Sequence, residues 1–316
     1  MLCSAKKILV AADKGCYAVG AFNVNNLEIL QAVIEAAVEE KSPVIIQTSE
    51  GAIEYAGLDY LLALMRVAAA TPVPVAIHLD HGKDLKLIKK AIAAGYTSVM
   101  FDGSLLPYKE NVAKTKQVVA WAKKKKVSVE AEIGAIKGVE DLVSVEEKQA
   151  FFTDPQQAAD FARATGCDSL AISIGTAHGA FKSKIAPELD IERLKKIDAL
   201  VKIPLVLHGA SGVSPELVAK TKEHCAELGD CDRLDGAVGI PDSEISRAVA
   251  NGIRKINIDS DLRIAFTAGL REAVLLNHKT IDPRALLAPS KKLMKEVARH
   301  KMELFGSQGR AGKMKK

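Results

Sequence analysis

Residues 73–101 read VPVAIHLDHGKDLKLIKKAIAAGYTSVMF and hold one complete structural unit. The run 73–80 is apolar until its last residues, as a strand buried on both faces reads. From Asp84 the period changes: Leu85, Ile88 and Ile92 recur at helical spacing, and Gly95 supplies a stop. A second apolar run follows at 97–101. Strand, helix and strand in this order predict a parallel pair joined by a helical crossover.

Outward from this unit the same alternation continues. Further strands are predicted at 17–24 and 43–48 before it, and at 127–132, 169–174, 204–209 and 253–259 after it. Leu27, Leu30, Ile34 and Val38 mark one helix; Asp154-Pro155 and Ser214-Pro215 mark the starts of two more. Eight strands, each followed by a helix, predict an α/β fold: a single (β/α)8 barrel with extra helices after Asp261. A doubly wound open sheet is the competitor, but it calls for fewer strands or a second domain, and no linker divides the chain. The expected bounds are a barrel domain over 1–305 and a flexible basic tail over 306–316. Residues 224–241 read as a loop insertion before the last strand, with no assigned role.

The 316 residues carry a net charge of +5, with 48% hydrophobic and 26% charged residues, as a globular chain with a substantial core does. Part of the positive excess lies in the exposed run Lys123–Lys126 and at the C-terminus. Aromatics are only 4%, which argues against a nucleic-acid surface. No apolar run reaches the ~18 residues of a membrane span, and the five cysteines form no CxxC pair. The expectation is a cytoplasmic protein with reduced thiols.

Barrel chemistry sits where the strands end. Polar groups cluster there: Asn23, Ser49, Asp80, His81, Asp102, Glu130 and Glu132, then 175–178, His208, Gly209, Ser211, Asn257, Asp259 and Ser260. Of seven histidines, His81, His178 and His208 each precede a glycine at or beyond a strand end. Three imidazoles converging on one mouth suit a divalent metal, zinc first. In HLDHG, His78 is expected to be a hydrogen-bonded core imidazole. His81 faces the other way or lies past the strand's end, with Asp80 beside it as acid or base. Gly209, Ala210, Ser211 and Gly212, and the stretch around Ser260, precede helix starts, where free amides bind phosphate; an ordinary N-cap is the plainer reading.

The segments GAFNVNN, SEGA, HLDHG, SVMFDGS, VEAEIGAIKGVED, IGTAHGAFK, LVLHGASGV and KINIDSDLR occur in that order. Together they resemble the class II, zinc-dependent fructose-1,6-bisphosphate aldolases. The resemblance implies reversible cleavage of a ketose bisphosphate to dihydroxyacetone phosphate and glyceraldehyde 3-phosphate. Zinc would polarise the ketone oxygen and stabilise the enediolate. Carried over, it makes His81, His178 and His208 the zinc ligands and Asp80 the proton donor and acceptor. Asp102 and Glu132 match positions that hold a second metal, or the zinc when it shifts. Gly179, Gly209, Ala210, Ser211, Asn257, Ile258, Asp259 and Ser260 match the dihydroxyacetone-phosphate site, and Asn23 and Ser49 line the pocket. Glu140 matches a mobile-loop acid that moves the carbon-bound proton. Asp259, with Arg263 reaching the distal phosphate, favours the fructose over the tagatose bisphosphate. A homodimer or homotetramer and a further divalent or monovalent cation are also implied.

Two other readings compete. Lys255 lies inside a predicted strand and could form a Schiff base. A scaffold or adhesion role predicts damage to the histidine and aspartate set, and none is visible.

Overall fold

The computed structural model describes residues 1–134, 137–140, 143–145, 152–178, 188–223, 239–276 and 279–314. Its centre is a closed barrel of eight parallel strands: β1 (Val19–Asn23), β2 (Val44–Thr48), β3 (Val75–Gly82), β4 (Ser98–Phe101), β5 (Ser128–Ile133), β8 (Ser169–Ile172), β10 (Leu205–Leu207) and β11 (Ile253–Ile258). They neighbour one another in chain order, and β11 closes onto β1. Closure removes the doubly wound alternative.

A small sheet stands apart from the barrel. In it β6 (Lys137–Glu140) pairs antiparallel with β7 (Val143–Val145) and parallel with β9 (Ala177–His178). Glu140, expected on a mobile loop, therefore lies in an antiparallel strand pair.

The crossover helices start where the sequence signals them. In α5 (Leu85–Ala94), Asp84 Oδ1 accepts from Lys86 N, and Gly95 ends the helix at φ +107°. In α7 (Pro155–Thr165), Asp154 caps the first turn and Pro155 occupies its first position. The others in this layer are α2 (Leu27–Glu39), α3 (Glu50–Ala56), α4 (Leu58–Ala68), α6 (Tyr108–Lys123), α8 (Ile191–Leu200), α9 (Pro215–Glu223) and α10 (Asp242–Ala250). Two longer helices, α11 (Ser260–Leu276) and α12 (Pro283–Leu304), follow the last strand. No described helix is long and apolar enough to cross a membrane.

Each strand turns alternate residues inward and outward. On β5, Val129, Ala131 and Ile133 join the apolar layer under the helices, which leaves Ser128, Glu130 and Glu132 for the interior. Register carries this inner face around the barrel: Asn23 pairs with Gln47, Gln47 with His78, His78 with Ser98, and Ser98 with Ser128. One end of the interior is apolar. Helix α1 (Ala5–Lys14) packs Ala5, Ile8, Leu9 and Ala12 against Val19, Ala21, Ile45 and Ala76 and seals the barrel floor.

The expected loose tail from residue 306 is corrected over its first part. Ser307 is fully buried against Ser42, their hydroxyls 2.8 Å apart. Gly309 N and Ala311 N donate to the carbonyls of Glu40 and Lys41 at 2.8 Å each. The 224–238 part of the expected insertion lies outside the described residues; Pro241 then precedes α10.

Candidate active site

The first expectation to be revised concerns HLDHG. Strand β3 does not end at Asp80 but runs to Gly82, with a register shift against β4 between Leu79 and Gly82. His81 sits inside this bulge at φ +45°, a conformation that histidine tolerates better than most residues. In a regular strand residues 80 and 81 would face opposite sides. The bulge brings both to the mouth.

His208 lies just past β10 and meets His81 edge to face, with His208 Nδ1 2.8 Å from His81 Nε2. The outer nitrogen of each ring is taken by a carboxylate. His81 Nδ1 lies 3.0 Å from Asp102 Oδ2, and His208 Nε2 lies 2.8 Å from Glu130 Oε1. If each outer N–H donates outward, the two inner nitrogens present lone pairs to one another. Such a pair needs a cation, either a proton or a metal ion, and carboxylates behind ligating histidines are the usual arrangement around metals. Asp80, His81 and His208 form one group of candidate ligand atoms within 4.8 Å, and His81, Asp102 and Glu132 form another. The two groups share His81. The donor set therefore fits one divalent ion with a second position adjoining it.

The charges in this cluster are strongly coupled. Burial opposes charge on His81, but the carboxylates of Asp80, Asp102 and Glu132 outweigh it and hold the imidazole well above its ordinary range. Burial and the neighbouring His81 charge push His208 down. Burial, and then repulsion from Asp102, push the Glu132 carboxyl well up; its Oε2 is buried with no hydrogen-bond partner. Asp102 stays low despite burial, because His81 and Ser104 hydrogen-bond to it. Asp102 thus combines two roles: Oδ1 accepts from Ser104 N and Oγ within its turn, while Oδ2 faces His81.

Beneath these groups lies a buried layer whose central pairing, Lys255 with Glu130, the sequence did not reveal. Lys255 Nζ sits 2.9 Å from Glu130 Oε2, with both side chains buried. Lysine and the His208 hydrogen bond overcome burial and keep Glu130 low. His78 is the core imidazole expected of it: Nδ1 is 2.7 Å from Ser98 Oγ, and burial, with Lys255 nearby, lowers its pKa to about 3. The signal in the sequence was the period-two spacing Ser128, Glu130, Glu132, read through the barrel interior.

Asp80 is held by three side-chain amides. Asn23 Nδ2 and Gln47 Nε2 donate to Oδ2 at 3.1 and 3.0 Å, and Asn257 Nδ2 donates to Oδ1 at 3.0 Å. Gln47 was not foreseen. Burial acts to raise the Asp80 carboxyl, but His81, Lys255 and His208 lower it overall.

Around the mouth the expected residues gather unevenly. Ser49 caps α3, its Oγ accepting from Ala52 N. Gly209 takes φ +61°, and Ser211 Oγ accepts from Asp259 N at 3.4 Å. Ser260 begins α11. Arg263 forms a two-pronged pair with Asp259, Nε to Oδ1 and Nη2 to Oδ2, both 2.8 Å. The side chains of Ala210 and Ile258 belong to the apolar layer, so these two positions offer only backbone atoms to a ligand. His178 pairs with Gly138, and Glu140 with Val143, in the small sheet. Gly179 lies outside the described residues.

The geometry can be set beside known proteins. A profile described as fructose-bisphosphate aldolase class-II matches residues 3–310. The chain is 47% identical over 311 residues to the fructose-bisphosphate aldolase of Thermus caldophilus, covering 98% of this chain and 100% of that one. It is 42% identical to the fructose-bisphosphate aldolase of Giardia intestinalis, covering 99% and 96%. Among solved structures, the YdjI aldolase from Escherichia coli K12 superimposes with a TM-score of 0.77 at 34% identity, covering 98% of this chain and 100% of that one.

Proposed function

Because the chain belongs to the class II fructose-bisphosphate aldolases, we propose that it reversibly cleaves D-fructose 1,6-bisphosphate to dihydroxyacetone phosphate and D-glyceraldehyde 3-phosphate. The observation that carries this reading is the pair of facing imidazoles, each backed by a carboxylate, beside the amide-held Asp80.

The family is metal-dependent, and the described residues include two groups able to hold a divalent ion. Zinc is the proposed metal, held by His81, His208 and His178, with Asp102 and Glu132 available to a second position. When bound, the ion supplies Lewis acidity toward the ketone oxygen. Asp80 takes the C4 hydroxyl proton in cleavage and returns it in condensation. It is ionised at neutral pH, as a base must be, and its amide donors fix the carboxylate plane. Glu140 handles the carbon-bound proton. The apolar floor beneath the cluster keeps bulk water from that side. The phosphate of the dihydroxyacetone half rests on Gly209, Ala210, Ser211 and Asn257–Ser260, helped by the start of α11, and Gly179 is carried over from the resemblance. Asn23 and Ser49 line the sugar. Arg263, oriented by Asp259, reaches toward the distal phosphate. Lys255 serves Glu130 rather than a Schiff base. A homodimer or homotetramer is carried over from the resemblance, and light scattering distinguishes the two.

The test is release of triose phosphate from fructose 1,6-bisphosphate, with tagatose 1,6-bisphosphate in parallel, before chelation, after it and with zinc restored. Loss on chelation and recovery with zinc are expected on the fructose substrate. Activity that survives chelation, or borohydride inactivation with substrate, would overturn the metal assignment.

A further inference from the structure

The loop after β10 is shaped from outside the barrel. Gly212 N and Val213 N both donate to the Asp261 carboxylate, at 2.9 Å to Oδ2 and 2.6 Å to Oδ1. Val213 is held at φ +46°, which a β-branched residue adopts only when its surroundings dictate it. Asp261 lies in the first turn of α11 and is fully buried. Lys301 reaches in from α12, 3.8 Å from Asp261 and 3.4 Å from Asp242, and is itself buried. Gly212 leaves room for it: a Cβ there would stand 2.7 Å from Lys301 Nζ.

Two successive amides beside a left-handed residue make a concave anion site. Here a carboxylate of the protein fills it. The substrate phosphate is therefore left the earlier part of the loop, Gly209 to Ser211, whose Ser211 Oγ faces Asp259 N. A buried carboxylate at that loop would repel a dianion, and Lys301 supplies the compensating charge.

We propose that Asp261 and Lys301 are positioning residues for the phosphate end of the substrate: Asp261 clamps the loop, and Lys301 cancels the charge that clamping introduces. This rests on the reading of Gly209–Ser211 as a phosphate loop. The pair ties the two C-terminal helices to substrate affinity without touching substrate.

The experiment compares full-length, metal-loaded wild type with Lys301→Met, Lys301→Arg, Asp261→Asn and Gly212→Ala. Each is measured for KM and kcat, for inorganic phosphate affinity by calorimetry, and for thermal midpoint. Lys301→Met is expected to raise KM and weaken phosphate binding in parallel, each about tenfold, because the Asp261 charge beside the loop is then left without its cation. Its kcat stays within about threefold by the same logic, because bound substrate meets the same reacting groups. Lys301→Arg restores affinity; Gly212→Ala, which displaces the lysine from the loop side, repeats the Met effect. Unchanged KM and phosphate affinity in Lys301→Met and Gly212→Ala, with only a lower midpoint, would overturn the proposal. If Lys301→Met does not fold, Gly212→Ala and Asp261→Asn carry the same readouts. Failure of wild type to cleave the bisphosphate would count against the function, while the phosphate titration still reads the loop.

Discussion

Asp80 accepts from three side-chain amides, and each bond stabilises the carboxylate over the acid. As the proposed base, Asp80 is thus held toward its ionised form and has only a modest pull on a proton, so proximity must supply much of its effect. Asp80→Asn keeps the shape and removes the proton acceptor. Its kcat is expected to fall by about 10²–10⁴ with bound metal retained, measured by turnover alongside atomic absorption. Lys255 poses the opposite case. Removing it by Lys255→Met leaves Glu130 buried without its cation, expected to cost about 3–5 kcal/mol in urea unfolding. Adding Glu130→Gln should recover part of that loss. These two residues also mark what a linear reading misses. Lys255 was visible as a strand lysine and Glu130 as a strand-end acid, but their meeting spans 125 positions and depends on barrel closure. The histidine–glycine pairs were legible because each is local. The place of His81 at the strand's end was legible, but the backbone bulge that presents it was not.

Strands were recognisable where both faces are apolar, and β1, β2 and β4 fall within one or two residues of their expected ends. In β5 a stricter alternation was present but inverted from the usual sense: the polar face is the interior, because above the apolar floor the barrel holds the buried Lys255–Glu130–His208 cluster. Helix α1 went unread although Ala5, Ile8, Leu9 and Ala12 follow helical spacing. The first segment of the tail could not be read, since Gly-Ser-Gln-Gly is held by backbone pairing to residues more than 260 positions away. Leu9→Ala tests the floor. It removes a fully buried side chain and is expected to cost about 2–5 kcal/mol, read from the shift in denaturant midpoint.

At the scale of the whole molecule, ionisation sets the acid limit. His78 is neutral in the folded chain because its pKa is lowered to about 3, whereas unfolding returns it to the ordinary 6.5. Its contribution is therefore complete above about pH 6.5 and is lost as pH falls toward 3, by roughly 1.4 kcal/mol per unit. Between pH 6.5 and 5, wild type is expected to lose about 2 kcal/mol that His78→Gln does not, measured by urea unfolding at both values. An equal loss in both would reject the neutral His78. The depressed Asp80, Asp102 and Glu130 add a further loss at lower pH, with the same sign. Glu132, pushed up, contributes the reverse: its share fades as pH rises through its folded pKa. Metal removal should also lower the thermal midpoint, since a ligand at 100 times its Kd adds about 2.7 kcal/mol. The plug of α1 beneath the cluster gives that removal a direction. With the floor shut, the site is a cul-de-sac, and ions and sugars share the rim as doorway. A sugar phosphate parked in that doorway should slow a chelator's capture of the metal, a traffic effect that follows from architecture alone.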